Sequence, residues 1–305
     1  MDAAVAIGGF DGVHLGHQAV LAETRRRANE RRLLSIAFTF DVPPRCLASP
    51  DGDVPRPRCT LSSAMLKTAL LGRTVQRIVS VPFSAVRDLE PERFILDVLV
   101  AELHATVVVV GDGFRFGAAR AGDVDEIRRV LPTGNVTSVA SVLRNGEPIS
   151  SSRIRTDLRQ GRIEEATALL GRFPVVAGPA AHGNGIGQRL GAPTINLRLP
   201  EDTLIPADGI YASWCFADGR GSPAALYVGS RPTYQQPERR FEVHLLGAVP
   251  SRFSPSFAEV HIVSCIRPDH RFSSEARLRR QIRADLAEIE RRFGDHFSPP
   301  ELVLG

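Results

Sequence analysis

Lysine is almost missing from this chain. Of its 38 basic residues only Lys67 is lysine and the rest are arginine. Arginine is the better fork for bidentate contact with phosphate or carboxylate, and codon bias in a GC-rich genome gives the same excess. Long apolar runs are also lacking. No stretch approaches the roughly 18 residues of a membrane-spanning helix, which argues against a membrane protein. The first residues, Met1–Ile7, have neither the basic start nor the apolar core of a secretory signal, so a cytoplasmic chain is expected. Cysteine is sparse: Cys46, Cys59, Cys215 and Cys265 form no CxxC pair. A zinc site and a disulfide framework are therefore not expected, and the four are read as reduced structural thiols.

The 305 residues suggest two domains at roughly 150 residues each. With 43% hydrophobic and 24% charged residues, the composition is that of a globular protein. The net charge of +4 does not demand a polyanion. Its densest cluster, Arg25–Arg32, falls in a helix-like stretch and reads as a solvated helix face, with a polyanion site as the rival reading.

The hydrophobic pattern divides the chain. Ala4–Gly8 is a short apolar strand, Leu15–Arg32 has helical spacing, and Leu33–Phe40 is again strand-like. That order makes a βαβ unit and hence a parallel sheet. Asp41–Arg58 is a loop. Helices are expected at Leu61–Leu71 and Pro91–Leu103, and strands at Arg77–Val81, Thr106–Val110 and Asn135–Val142. Helices at Ser150–Arg159 and Ile163–Leu170 complete this α/β half. Beyond it, turn residues multiply and short strands follow: Val175–Ala177, Thr194–Leu197, Ile210–Phe216, Ala224–Val228, Phe241–Leu246 and Ala258–Ser264. They predict a small antiparallel barrel or sandwich closed by an amphipathic helix, Ser274 to Phe293. The two domains are expected at 1–165 and 166–305.

Two motifs in the first half carry chemistry. Gly8-Gly9-Phe10-Asp11-Gly12-Val13-His14-Leu15-Gly16-His17 follows a strand and opens a helix. Glycines let backbone approach a ligand, and a helix N-terminus favours phosphate. His14 and His17 share one helix face and can donate to phosphate oxygens. Ile149-Ser150-Ser151-Ser152-Arg153-Ile154-Arg155 sets three hydroxyls before a helix, where they can cap it or, with the arginines, hold a polyphosphate.

Together these motifs make the chain resemble the bacterial bifunctional riboflavin kinase/FMN adenylyltransferase (FAD synthetase) family. Gly111-Asp112-Gly113-Phe114-Arg115-Phe116-Gly117 resembles its GxDFRFG stretch. In the second half, Gly187-Gln188-Arg189-Leu190-Gly191-Ala192-Pro193-Thr194-Ile195-Asn196-Leu197 resembles GRxLGFPTANL. Pro206–Ala212, Gly229–Tyr234, Glu242–Leu246 and the run Arg267, Phe272, Gln281, Asp285 match later motifs in order.

The resemblance implies a Rossmann-like nucleotidyltransferase domain followed by a β-barrel riboflavin kinase domain. Riboflavin, FMN and ATP are the implied small-molecule substrates, with Mg2+ as cofactor. It implies His14, His17 and Glu242 as catalytic, and Gly8, Phe10, Asp11, Gly12, Ser150, Ser151, Ser152, Arg153, Gly183 and Gly187 as ATP- or phosphate-binding. It further implies Thr194 and Asn196 for magnesium, and Phe114, Arg115, Phe116 and Arg231 for flavin. Nucleic acid and membrane are not expected partners, and the sequence leaves oligomeric state open, a homo-oligomer included. Departures stand out. The family's TFEPHP is here Thr39-Phe40-Asp41-Val42-Pro43-Pro44, and Gly113 stands where an aspartate is usual. A weakened adenylyltransferase half, a relative acting on a flavin analogue or another acceptor, and a non-catalytic flavin- or nucleotide-binding regulator are the readings these departures leave open.

Overall fold

The computed structural model describes residues 1–49, 52–131, 135–182, 194–230, 239–247, 255–294 and 297–304. Its contacts divide into two compact units, Met1–Ser151 and Ser152–Gly305.

The first unit is built on a five-stranded sheet: β1 (Ala3–Ile7), β2 (Leu34–Phe40), β3 (Arg77–Val81), β4 (Ala105–Gly111) and β5 (Val136–Val139), in the order β3-β2-β1-β4-β5. Every pairing is parallel. A separate antiparallel pair, β6 (Leu143–Arg144) and β7 (Glu147–Pro148), follows in the chain. A parallel sheet must be covered on both faces, so its central strands read as continuous apolar runs. AAVAI and ATVVVVG are of this kind, and Ala3, Val5, Val107, Val108, Val109 and Val110 are all buried. The helices are α1 (Leu15–Arg31), α2 (Ala64–Gly72), the short α3 (Ser84–Arg87) and α4 (Pro91–Arg93), and α5 (Val124–Val130). One apolar cluster gathers Val5, Ile36, Phe38, Phe94, Leu99, Val108, Phe116 and Ile127. Because β4 starts on the far side of β1 from β2, the strand order reverses between β1 and β4. In open parallel sheets the crevice at the strands' carboxyl ends at such a reversal is where ligands bind. The loop carrying His14 leaves β1 there, and the loop carrying Gly113 leaves β4.

The second unit opens with α6 (Ser151–Arg159) and α7 (Ile163–Leu170). A closed barrel follows, made of β8 (Val175–His182), β9 (Thr194–Leu197), β10 (Gly209–Ala217), β11 (Arg220–Ser230), β12 (Arg239–Leu245) and β13 (Phe257–Pro268), in the cyclic order β10-β11-β12-β9-β8-β13. All its pairings are antiparallel. Closure removes exposed strand edges. Ile195, Leu226, Val228, Val243, Val260 and Ile262 are buried at alternate strand positions. The last helix, α8 (Glu275–Arg292), is capped by Ser274, whose side chain accepts the Arg277 N–H.

Three local readings need correction. The stretch Pro91–Leu103, expected as an ordinary helix, widens after Arg93 into a π-helix, Phe94–Glu102, so that the Leu103 N–H reaches back to Val98. α5 was not expected, although Asp123 and Glu126 form a reciprocal capping box there. The reduced-thiol reading fails for two cysteines: Cys46 and Cys59 are joined by a disulfide. Spacing alone cannot show such a bond, since it forms where the fold brings the two sulfurs together. Cys215 and Cys265 are free.

Candidate active sites

The first site grows out of the turn between β1 and α1. Phe10, Gly12 and Val13 all have positive φ, at 45°, 80° and 40°. Side-chain-bearing residues, β-branched ones above all, rarely adopt this conformation, and such strain concentrates at functional sites. The Val13 N–H closes the turn onto the Phe10 carbonyl, and the Gln18 amide donates to the Val13 carbonyl at 2.9 Å. His14 is the N-cap of α1, and its Nδ1 accepts the His17 N–H at 3.3 Å. That bond makes Nδ1 the acceptor nitrogen, so in the neutral ring the proton sits on Nε2 and can be donated. The His14 and His17 rings stack with centroids 3.6 Å apart, and Phe10 meets His17 edge-on at 5.3 Å. Gly16 makes room for this pair: a Cβ there would lie 3.1 Å from the His14 ring.

Three neighbouring segments brace the turn. Thr39 at the end of β2 donates to the Gly9 carbonyl at 3.3 Å, and the Leu61 N–H donates to the Asp11 carboxylate at 2.8 Å. The Ser151 hydroxyl donates to the Asp11 carbonyl at 2.9 Å. This last bond brings the two phosphate motifs together, 140 residues apart in sequence. Ser150 lies beside Ser151. Ser152 and Arg153 stand in the first turn of α6, Ser152 exposed and Arg153 half-buried.

Other sequence candidates are placed differently. The Phe10 ring is buried under Gly8 and against His17, so it props the turn. Phe116 is only 7% exposed and packs on Phe94 at 5.3 Å. Phe114 stacks on it at 5.6 Å, and Arg115 pairs with Asp123 at 3.2 Å. Gly113 has φ of 70°, which explains the glycine there by backbone conformation. Sequence reasoning missed Lys67. It is 4% exposed, and its Nζ donates to the Phe40 carbonyl at the end of β2. Burial lowers its pKa against the opposing pull of Asp11 and Asp41. The available signal was its being the sole lysine.

The second site lies on the face of the barrel opposite Ile195, Leu226 and Val243. Register places Asn196 opposite Glu242 and Glu242 opposite Tyr227; Thr194 is opposite His244. With a period of two, these five side chains share one face. Thr194 and Glu242 are buried. Among the described residues, the Asn196 Oδ1 is buried without a hydrogen-bond partner, as is Nδ1 of His244. Burial also lowers the His244 pKa. Tyr227 donates to Asp269 at 3.1 Å, and burial together with Asp269 pushes its phenol up to about 12. Gly183, Gly187 and Arg231 lie outside the described residues. The closing motif of the chain proves structural: Arg267 forks onto Asp285 at 3.0 and 2.7 Å, and Gln281 donates to Asp285 at 2.8 Å, tying β13 to α8. Tyr211, buried, donates to the Ala207 carbonyl at 2.5 Å and anchors the start of β10.

The sequence model of the FAD synthetase family matches residues 1–153, and that of riboflavin kinase matches residues 170–293. The chain belongs to the bifunctional riboflavin kinase/FMN adenylyltransferase family. It is 33% identical over 285 residues to the bifunctional riboflavin kinase/FMN adenylyltransferase of Pseudomonas fluorescens, covering 92% of this chain and 90% of that one. The protein of that name from Escherichia coli K12 is 31% identical over 95% of this chain and 92% of its own. A crystal structure described as a macrolide-efflux protein from Streptococcus pneumoniae superposes with a TM-score of 0.83 at 27% identity, over 97% of this chain and 95% of that one. Among the described residues, no helix of this family member is long and apolar enough to cross a membrane.

Proposed function

We propose that the chain phosphorylates riboflavin to FMN and then transfers AMP from ATP to FMN, releasing pyrophosphate and FAD. The observation that carries this reading is the two family matches in tandem, each over one of the two site-bearing halves. The adenylyltransferase is assigned to 1–165 and the kinase to 166–305, both acting in the cytoplasm on small-molecule substrates.

In the first half, an FMN phosphate oxygen attacks the α-phosphorus of ATP and pyrophosphate leaves. The protein's part is positioning and charge stabilisation, with no covalent intermediate. The α1 N-terminus and the backbone of Asp11 and Gly12 receive phosphate oxygens, while Gly8, whose N–H donates to the Phe38 carbonyl, shapes the turn that presents them. The Nε2–H of His14, together with His17, donates to charge that grows on them in the transition state. Ser150, Ser151, Ser152 and Arg153 hold the polyphosphate. Phe114 and Arg115 are assigned to the flavin side. Phe10 and Phe116, both buried, support these residues from within the core.

In the second half, Glu242 accepts the proton of the ribityl 5′-hydroxyl as that oxygen attacks the γ-phosphorus of ATP, and ADP leaves. The residues present fit magnesium: the buried Asn196 Oδ1 has no hydrogen-bond partner among the described residues, and it stands with Thr194 and Glu242 in an all-oxygen set. Thr194 and Asn196 would hold the ion, which when bound would neutralise charge on the ATP phosphates. Chromatography of flavins after incubation with riboflavin, ATP and Mg2+ tests the reading. FMN followed by FAD is expected. FMN alone means that Pro43 and its neighbours have silenced the first half, and no product removes the proposal.

A further inference from the structure

The first site is walled by a loop that the chain closes covalently. Cys46 ends a single helical turn, Pro44–Cys46, and is bonded to Cys59, 13 residues on. Beside this bond the Arg56 N–H donates to the Cys46 carbonyl at 2.6 Å, the Ala48 N–H donates to Val54 at 2.8 Å, and Leu47 pairs with Pro55. Both flanks of the loop lead into the site. Upstream, Pro44 stands against Gly9, where a Cβ would lie 3.9 Å from its Cδ. Downstream, Leu61 is two residues past Cys59, and its N–H holds the Asp11 carboxylate. The bond therefore clasps together the two segments that touch Gly9 and Asp11. The free cysteines belong to the second unit, Cys215 on β10 and Cys265 on β13.

We propose that Cys46 and Cys59 form a redox site that sets the activity of the FAD-forming half. The disulfide holds the wall at Pro44 and Leu61 against Gly9 and Asp11. The dithiol releases it, so that Leu61 no longer fixes Asp11 and FAD formation falls while FMN formation is untouched. The partner reactant is a low-molecular-weight disulfide, RSSR. The Cys59 thiolate, at 7% the more exposed of the two residues, attacks one sulfur of RSSR and forms a mixed disulfide, releasing RSH. Cys46, fully buried, then attacks the Cys59 sulfur and releases the second RSH. Two protein thiols lose two electrons and two protons, and RSSR becomes two RSH. Excess dithiol drives the reverse reaction.

The output of this switch rests on the function proposed above, but the movement of the wall does not, and the test reads the two separately. The intact chain is compared after treatment with oxidised glutathione and after treatment with dithiothreitol. Alkylation after unfolding counts two free thiols in the first state and four in the second. Amide exchange at Leu61 and at Cys46–Ala48 is then measured in both states, with FAD formation from FMN and FMN formation from riboflavin in the same samples. Reduction is expected to speed exchange at those amides and to lower FAD formation about tenfold, the scale of one lost site hydrogen bond. FMN formation should stay unchanged. Cys46→Ser/Cys59→Ser should behave as the reduced form in either reagent, and Cys215→Ser should respond like the parent. Unchanged exchange at Leu61 on reduction would overturn the proposal, and so would FAD formation equal in both states. If neither state makes FAD, the proposed function fails, while the exchange data still decide whether the wall is redox-controlled.

Discussion

Gly16 shows how much of this protein is decided by single side chains. In the first turn of a helix, glycine-to-alanine is normally stabilising, by about 1 kcal/mol in a helix interior. Here the added Cβ would press on the His14 ring at 3.1 Å. Gly16→Ala is therefore expected to leave the melting temperature equal or higher while cutting FAD formation. A variant that is both more stable and fully active would show that the His14 ring has slack. His14→Ala should lower FAD formation by about 10²–10³, the usual loss for one donor to a charged transition state, and leave FMN formation unchanged. Glu242→Gln should do the opposite, cutting riboflavin phosphorylation by about 10²–10⁴ while FMN supplied directly is still adenylylated. Steady-state kinetics of each half-reaction on each variant decides both. Lys67→Met should weaken FAD formation too, because the Phe40 carbonyl then loses its donor and the buried Asp11 the positive charge that acts on it.

At the scale of elements, a buried carboxylate ties the C-terminal segment to the barrel. Glu259, 2% exposed, accepts the N–H groups of Val303 and Leu304 at 2.7 and 2.8 Å and faces His261 at 2.6 Å. The aromatic group Phe173, Trp214, Phe293 and Phe297 packs alongside the same segment. Burial alone would raise the Glu259 carboxyl; the hydrogen bonds from His261 and the two backbone amides outweigh it and hold the pKa below the ordinary 4.5. A carboxyl lowered on folding stabilises above its unfolded pKa and loses that contribution as pH falls through its folded value. Stability should thus drop on acidification below about 4.5 in the parent, and Glu259→Gln should be less stable near neutrality by about 1–3 kcal/mol with a flatter acid limb. Chemical denaturation across pH checks this, and parallel curves would contradict it.

The same scale explains what could be foreseen. β1, β4, α1, α7 and β9 were legible because apolar runs or helical spacing announce them directly, with Ile163–Leu170 and Thr194–Leu197 matching to the residue. The π-helix at Phe94–Glu102 was not, since its apolar residues suit an ordinary helix equally well. The first site was readable as a glycine turn before a helix. Its bracing by Ser151, Leu61 and the Cys46–Cys59 bond was not, because those contacts join distant segments that only the fold brings together. The packing of Phe116 on Phe94 was not legible for the same reason, since a motif position says nothing about which way a ring points.

For the whole molecule, the parallel-sheet unit and the antiparallel barrel each supply their own helix ends, strand faces and buried polar groups. The account therefore predicts two separable activities in one chain, with FMN as product of one and substrate of the other. The substitutions around Pro43 and Gly113 place the risk wholly in the first. The most direct measurement is a time course of flavins, resolved by chromatography, with the intact oxidised protein, riboflavin, ATP and Mg2+. The account predicts that FMN rises first and FAD follows at its expense, with one pyrophosphate released per FAD. Accumulation of FMN without FAD would contradict the assignment of the first half, and riboflavin left unchanged would contradict the account as a whole.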